Sequence, residues 1–472
     1  MKRVAVIDVV GLTESLIGED TPRISAFRKA GASAKIVPAF PAVTCTAQST
    51  YLTGSPPSYH GVVGNGWYNR ELAEVQFWKQ SNKLVHGRKL WEELRERDSK
   101  FTCAKLFWWY NMYSSADYSI TPRPMYPADG HKVFDIYTSP YSIRTEIKKD
   151  LGEFPFATFW GPAAGRPTPQ GPPDAASRWI AESAKWVEER YHPTLSLIYL
   201  PHLDYNLQRF GPFAAESRVI NSVIRPDLKA IDAIVGELID FFTKREVQIV
   251  ILSEYGITNA NWPVHLNRIF RSAGWLSAKD ELGLELLDCG ASKAFAVADH
   301  QVAHIYLNDP SLERSARELV EKQEGVERVL GKAEKVAAGI DHPRAGDLIA
   351  VASENAWFTY YYWIDDKAAP DFARTVDIHR KPGYDPVELF VDPAISLPTA
   401  KIAWRLLQKK LGFRMLMDVI SLDATLVKGS HGCRPKDPAD YPVLISQQAE
   451  LLRNPLIDAT DVYHVLKRHL LT

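Results

Sequence analysis

Val4-Ala-Val-Ile-Asp8, Leu197-Ile-Tyr-Leu-Pro-His-Leu-Asp204 and Ile249-Val-Ile-Leu-Ser-Glu254-Tyr255-Gly256 decide the fold of this chain. Each is a short apolar run that stops at an acidic side chain. Runs apolar at successive positions, rather than at alternate ones, suit strands covered on both faces in a parallel sheet. A fourth run lies at 101–108, and helical patterns stand between the runs, as in Ala175 to Arg190 and Pro226 to Phe242. The order predicts an α/β fold whose mostly parallel sheet is flanked by helices. Ligands of such sheets sit beyond the carboxyl ends of the strands, where Asp8, Asp204 and Glu254 fall. Carboxylates far apart in sequence are thereby predicted to converge.

Farther along, the texture changes. Ala294-Phe-Ala-Val, Val302-Ala-His-Ile-Tyr-Leu and Asp347-Leu-Ile-Ala-Val-Ala predict strands, and Leu312 to Glu324 a helix. This predicts a core of residues 1–265 and 366–472 with an inserted α+β lid over 266–365. The aromatic runs 107–113 and 357–363 read as core or domain-interface packing. A chain that is 46% hydrophobic and 24% charged, with net charge −1, has no global electrostatic reason to bind nucleic acid or an acidic membrane. A small molecule is the expected partner, and the oligomeric state stays open. Four scattered cysteines, no apolar leader before Val4 and no run of roughly 18 apolar residues predict a cytoplasmic protein.

Chemistry enters at Phe40-Pro-Ala-Val-Thr44-Cys-Thr-Ala-Gln-Ser-Thr-Tyr-Leu-Thr-Gly54. A proline-bearing loop meets a hydroxyl residue, helix-compatible residues follow, and a glycine ends them as a C-cap. Thr44 is predicted at a helix N-terminus, where free N–H groups and the helix dipole suit a phosphate. Its hydroxyl is either an N-cap or a nucleophile.

In these residues the chain resembles the type I phosphodiesterase/nucleotide pyrophosphatase family of the alkaline phosphatase superfamily. The matching pieces are Val6-Ile-Asp8, the segment around Thr44 with Tyr51-Leu-Thr-Gly54, Pro57 with His60-Gly-Val-Val-Gly-Asn65, Asp204 with Gly211-Pro212, Leu252-Ser-Glu-Tyr-Gly256 and His431-Gly432, in family order. The resemblance implies an alkaline-phosphatase-like core and metal-dependent hydrolysis of phosphate esters, phosphodiesters or pyrophosphates through a threonine phospho-enzyme. Thr44 would be the nucleophile. One metal would be held by Asp8, Thr44, Glu254 and Tyr255, and a second by Asp204, Gln208 and His431.

The chain departs from the family pattern at several of these positions. The family has a histidine where this chain has Gln208, an Asp-His pair where it has Glu254-Tyr255, and an asparagine where it has Ala47. Loss of two imidazoles shifts preference from the family's zinc toward manganese, magnesium, calcium or iron, with one or two ions per chain. Gln48 is a candidate substitute for the missing amide. Asn65, His202, His379 and Lys381 are further candidate substrate contacts, the last two in a polar cluster from Arg374 to Glu388 that also reads as a salt-bridged turn. The same machinery would suit a phosphoryl transferase or mutase, and the altered ligands leave room for a non-catalytic binding protein on the same fold.

Overall fold

The computed structural model describes residues 1–128, 132–168, 171–214 and 217–472. Every residue of its first strand, β1 (Val4–Val9), is buried, as the doubly apolar run requires. β1 is the middle strand of a nine-stranded sheet. The others, in chain order, are β2 (Ala32–Val37), β3 (Cys103–Leu106), β4 (Tyr118–Pro122), β5 (Ile136–Ser139), β6 (Leu195–Leu200), β7 (Gln248–Leu252), β8 (Val443–Ser446) and β9 (Leu456–Asp458). They lie in the order β9-β2-β8-β7-β1-β6-β3-β4-β5, with β5 and β8 antiparallel to their neighbours and the remaining strands parallel to β1. The sheet is therefore mostly parallel, as the apolar runs predict.

Six helices concern the argument: α1 (Thr44–Thr53), α2 (Ala175–Tyr191), α3 (His202–Phe210), α4 (Arg225–Thr243), α5 (Pro398–Lys410) and α6 (Asp461–Leu471). Helix α4 buries Leu228, Ile231, Val235, Leu238 and Phe242, a three-and-four spacing that puts one apolar stripe in the main core. Each such side chain contributes about 1.5–3 kcal/mol by leaving water. Helix α1 ends where expected: Gly54 takes φ 63°, a left-handed conformation, with the Tyr463 ring of α6 against it.

A second hydrophobic core surrounds an antiparallel sheet of four strands, Ala294–Asp299, Val302–Leu307, Val326–Leu330 and Leu348–Ala352. Every residue of 357–363 is buried, and the apolar members of that run join this core. So do Phe372, Tyr384, Val387, Val419, Ile420 and Val427, which lie beyond the expected end of the lid at 365. The second core thus draws side chains from both sides of residue 365. Among the described residues no helix is long and apolar enough to cross a membrane.

Candidate active site

Three adjacent strands deliver the acidic residues. Asp8 is the penultimate residue of β1, whose sheet neighbours are β6 and β7. Asp204 lies in the first turn of α3, after β6, and Glu254 and Tyr255 follow β7. The chain can leave β7 this way only because residue 256 is glycine, since a Cβ there would lie 1.8 Å from the Asp440 carbonyl oxygen. Thr44 is the first residue of α1 and Val43 its N-cap; the helix has no side-chain cap. The Thr44 hydroxyl is therefore free of capping duty. It lies instead 3.2 Å from the Tyr255 hydroxyl.

The site has two halves joined by Tyr255. In the first, the Asp8 and Glu254 carboxyl groups lie against each other with Gln48 and Thr44 beside them. Gln48 donates through Nε2 to Glu254 Oε1 at 2.5 Å, and its own Oε1 accepts from the Trp109 N–H at 2.7 Å. Both ends of the Gln48 amide are thus committed to orienting Glu254. In the second half, Tyr255 donates to Asp204 Oδ1 at 3.2 Å and Gln208 Nε2 to Asp204 Oδ2 at 2.8 Å. Tyr384 in turn donates to Gln208 Oε1 at 3.0 Å. The phenol has a single proton, and it goes to Asp204, so the Thr44 hydroxyl is the donor to Tyr255. His431 donates from Nδ1 to the Ala42 carbonyl at 2.7 Å, which leaves Nε2 a bare acceptor 4.0 Å from Asp204 Oδ1.

Four rings stack along this second half: Tyr255 on His431 at 3.6 Å, His431 beside His300 at 3.7 Å, and His300 on Tyr384 at 3.6 Å. His300 and Tyr384 belong to the region around the second core, and sequence reasoning did not place them in the site. The one local signal is Asp299-His300, where an apolar strand ends and its hairpin turn begins. Asp299 grips Asn65 through its backbone N–H at 2.7 Å and its amide at 3.0 Å, and Asn65 Oδ1 accepts the Cys45 N–H at 3.0 Å. Asn65 thereby pins the first turn of α1.

Burial sets the protonation states. It pushes Asp8 and Asp204 up to about 7, and Glu254 well above the usual range with further help from Asp8. Burial also raises the Tyr255 phenol, which stays neutral, and lowers His431 to about 3, which keeps it an uncharged imidazole. The Asp8 oxygens and Glu254 Oε2 are buried without any hydrogen-bond partner, and so is His431 Nε2. Two abutting carboxyl groups with unsatisfied oxygens and no cationic side chain fit one hard divalent cation, with Thr44 as a third oxygen ligand. The second half does not fit a further ion. Gln208 turns its N–H groups toward Asp204, Tyr255 keeps its proton, and only Asp204 and His431 remain as donors. Among the described residues no group of three or more His, Cys, Asp or Glu is arranged to hold a metal. The site thus has one oxygen-lined half and one hydrogen-bonded half.

Other expected contacts lie apart from Thr44 in this network. His202 Nε2 is 3.0 Å from Asp227 Oδ1. His379 Nδ1 approaches the Phe77 carbonyl at 3.4 Å. Lys381 is fully buried and pairs with Asp385 at 2.6 Å and Glu388 at 2.7 Å. Burial opposes its charge, but those two carboxylates outweigh burial and hold the ammonium protonated. Its ammonium is thus engaged by two carboxylates of its own segment.

The model of the type I phosphodiesterase / nucleotide pyrophosphatase family matches residues 4–385. The chain belongs to this family. Among solved structures with the same fold are the phosphonoacetate hydrolase of Sinorhizobium meliloti, in complex with phosphonoformate, and murine ectonucleotide pyrophosphatase / phosphodiesterase 5. The first is 13% identical with a TM-score of 0.60, covering 100% of this chain and 96% of the other. The second is 14% identical with a TM-score of 0.56, covering 100% and 95%. An uncharacterized pyrophosphatase/phosphodiesterase of Schizosaccharomyces pombe is 21% identical over 241 residues, 50% of this chain and 40% of that protein. Against the family pattern, three of the four departures have a visible contact: Gln208 bonds Asp204, Glu254 meets Asp8, and Tyr255 bridges Thr44 and Asp204.

Proposed function

We propose that this family member hydrolyses a phosphodiester or pyrophosphate bond of a small phosphorylated substrate through a covalent phosphothreonine at Thr44. The observation that carries the reading is the hydroxyl relay from Thr44 through Tyr255 to Asp204. Thr44 Oγ1 attacks phosphorus while its proton passes to the Tyr255 hydroxyl and the tyrosine proton passes to Asp204 Oδ1. The P–O bond to the leaving group breaks as the Oγ1–P bond forms. A carboxylate raised to about 7 by burial is a better base than an ordinary one, and it stands where the proton must go. In the second step water attacks phosphorus, one of its protons staying on the phosphate product and the other leaving to solvent, which also protonates the leaving group of the first step, and Asp204 returns its proton through Tyr255 to the departing Thr44 oxygen. The phosphoryl group would lie at the positive end of the α1 dipole, where Thr44 begins the helix. A divalent cation held by Asp8, Glu254 and Thr44 would supply Lewis acidity, lowering the pKa of the nucleophile and offsetting phosphoryl charge.

Support also comes from murine ectonucleotide pyrophosphatase / phosphodiesterase 5, which has been solved with AMP in an inactive form that carries a threonine-to-alanine change. The test is turnover of an aryl phosphodiester by Thr44→Ala, with magnesium or manganese supplied. Activity should fall to background while thermal unfolding stays close to that of the parent. Turnover that survives the substitution removes Thr44 as nucleophile.

A further inference from the structure

Helix α5 wears its apolar side outward. Toward the body, Ile402 packs on the second core, and Lys401 and Arg405 both reach the carboxylate of Asp418, at 2.9 and 3.0 Å. The opposite face presents Ala400, Ala403, Trp404, Leu406, Leu407 and Leu411 to solvent, and no residue of the helix is buried. Trp404 is 57% exposed, Leu407 44% and Leu411 64%; Phe413 and Leu416 continue the patch past the helix end. Isolated exposed leucines are ordinary on protein surfaces, but a contiguous stripe with a tryptophan is not.

The charge around the stripe says what covers it. From Pro393 to Met417 the chain has no acidic residue and five cations, Lys401, Arg405, Lys409, Lys410 and Arg414. Two of these share one carboxylate, and Lys409, Lys410 and Arg414 form no ion pair with a described residue. The whole-chain charge of −1 conceals this local excess. A second copy of the chain would bring two such cationic stripes together and add repulsion to the contact. An anionic lipid surface satisfies both features: leucines enter the acyl boundary, the tryptophan ring lies at headgroup depth, and the flanking cations meet lipid phosphates. We propose that α5 and the residues to Leu416 dock this protein, lying in the interface plane, on an anionic lipid surface. The exposed tryptophan stripe between unpaired cations carries this inference independently of the chemistry at Thr44.

Sedimentation of the full chain with vesicles tests it. The protein should pellet with mixed phosphatidylserine/phosphatidylcholine vesicles, and far less with phosphatidylcholine alone or in high salt. The double substitution Trp404→Glu with Leu407→Glu should abolish pelleting. Lys410→Glu with Arg414→Glu, which leaves the apolar stripe intact, should weaken partitioning by about twentyfold or more. Neither pair should alter thermal unfolding or aryl phosphodiester turnover, since all four side chains are exposed. The proposal is overturned if the parent protein stays in the supernatant with anionic vesicles, or if both double variants pellet as it does. It is also overturned if the parent is a dimer that the Trp404/Leu407 variant splits without either form binding vesicles, because a second copy then covers the face.

Discussion

Tyr255 is the residue on which the chemistry of this site turns. In the family pattern its position is an imidazole that ligates metal; here a neutral phenol stands between the Thr44 hydroxyl and the Asp204 carboxylate. A phenol raised far above neutrality is a poor metal ligand but a competent proton relay, since it can accept from Thr44 only while donating to Asp204. Tyr255→Phe separates the two roles. The ring stack on His431 and its area are kept, whereas the path from Thr44 to its base is cut. Turnover of an aryl phosphodiester should fall by roughly 100-fold or more, with KM nearly unchanged, because the hydroxyl acts on proton transfer and not on ground-state binding. A loss confined to KM would place Tyr255 in substrate binding instead.

At the scale of elements, the sheet and α1 were legible because each depends on local pattern. A strand covered on both faces needs continuous apolar residues, and the runs at Val4, Leu197 and Ile249 supply them. A helix needs a start and a stop, and Thr44 and Gly54 mark both. The membership of the second core was not legible, since nothing local tells Phe372, Tyr384 and Val427 which core they join. His300 and Tyr384 were hidden for the same reason, because only tertiary packing brings them to His431. Lys381 shows the limit of reading charge from sequence. A lone lysine near an expected phosphate site invites a binding role, yet its one charge is shared by two buried carboxylates of its own segment. Lys381→Met should therefore strip Asp385 and Glu388 of their counter-ion and cost about 3–5 kcal/mol of stability. Urea unfolding measures this, and a change under about 1 kcal/mol would mean the cluster is held by other contacts.

Over the whole molecule, the site lies where the main sheet meets the second core, and burial at that junction sets its response to pH. Asp8 is raised to about 7 by burial from an ordinary value of 3.8. A folded pKa above the unfolded one gives stability that is complete below the unfolded pKa and is lost as pH rises through the folded one. Total stability cannot display this alone. His60 and His431, lowered to about 3 by burial, and His304, lowered to about 4, pull the opposite way, losing stability as pH falls through the ordinary imidazole range. Comparison with Asp8→Asn cancels those imidazoles and leaves the carboxyl. With a chelator present, parent and variant should unfold at similar temperatures near about pH 5, where Asp8 is protonated and resembles the amide. By about pH 8 the variant should be the more stable, because the parent then buries an ionised carboxylate beside Glu254. Magnesium or manganese should reverse the order at the higher pH, stabilising the parent through Asp8 and Glu254 and the variant much less. A pH-independent gap would show that Asp8 does not titrate in this range, and equal stabilisation of both proteins by the ion would place the ion elsewhere.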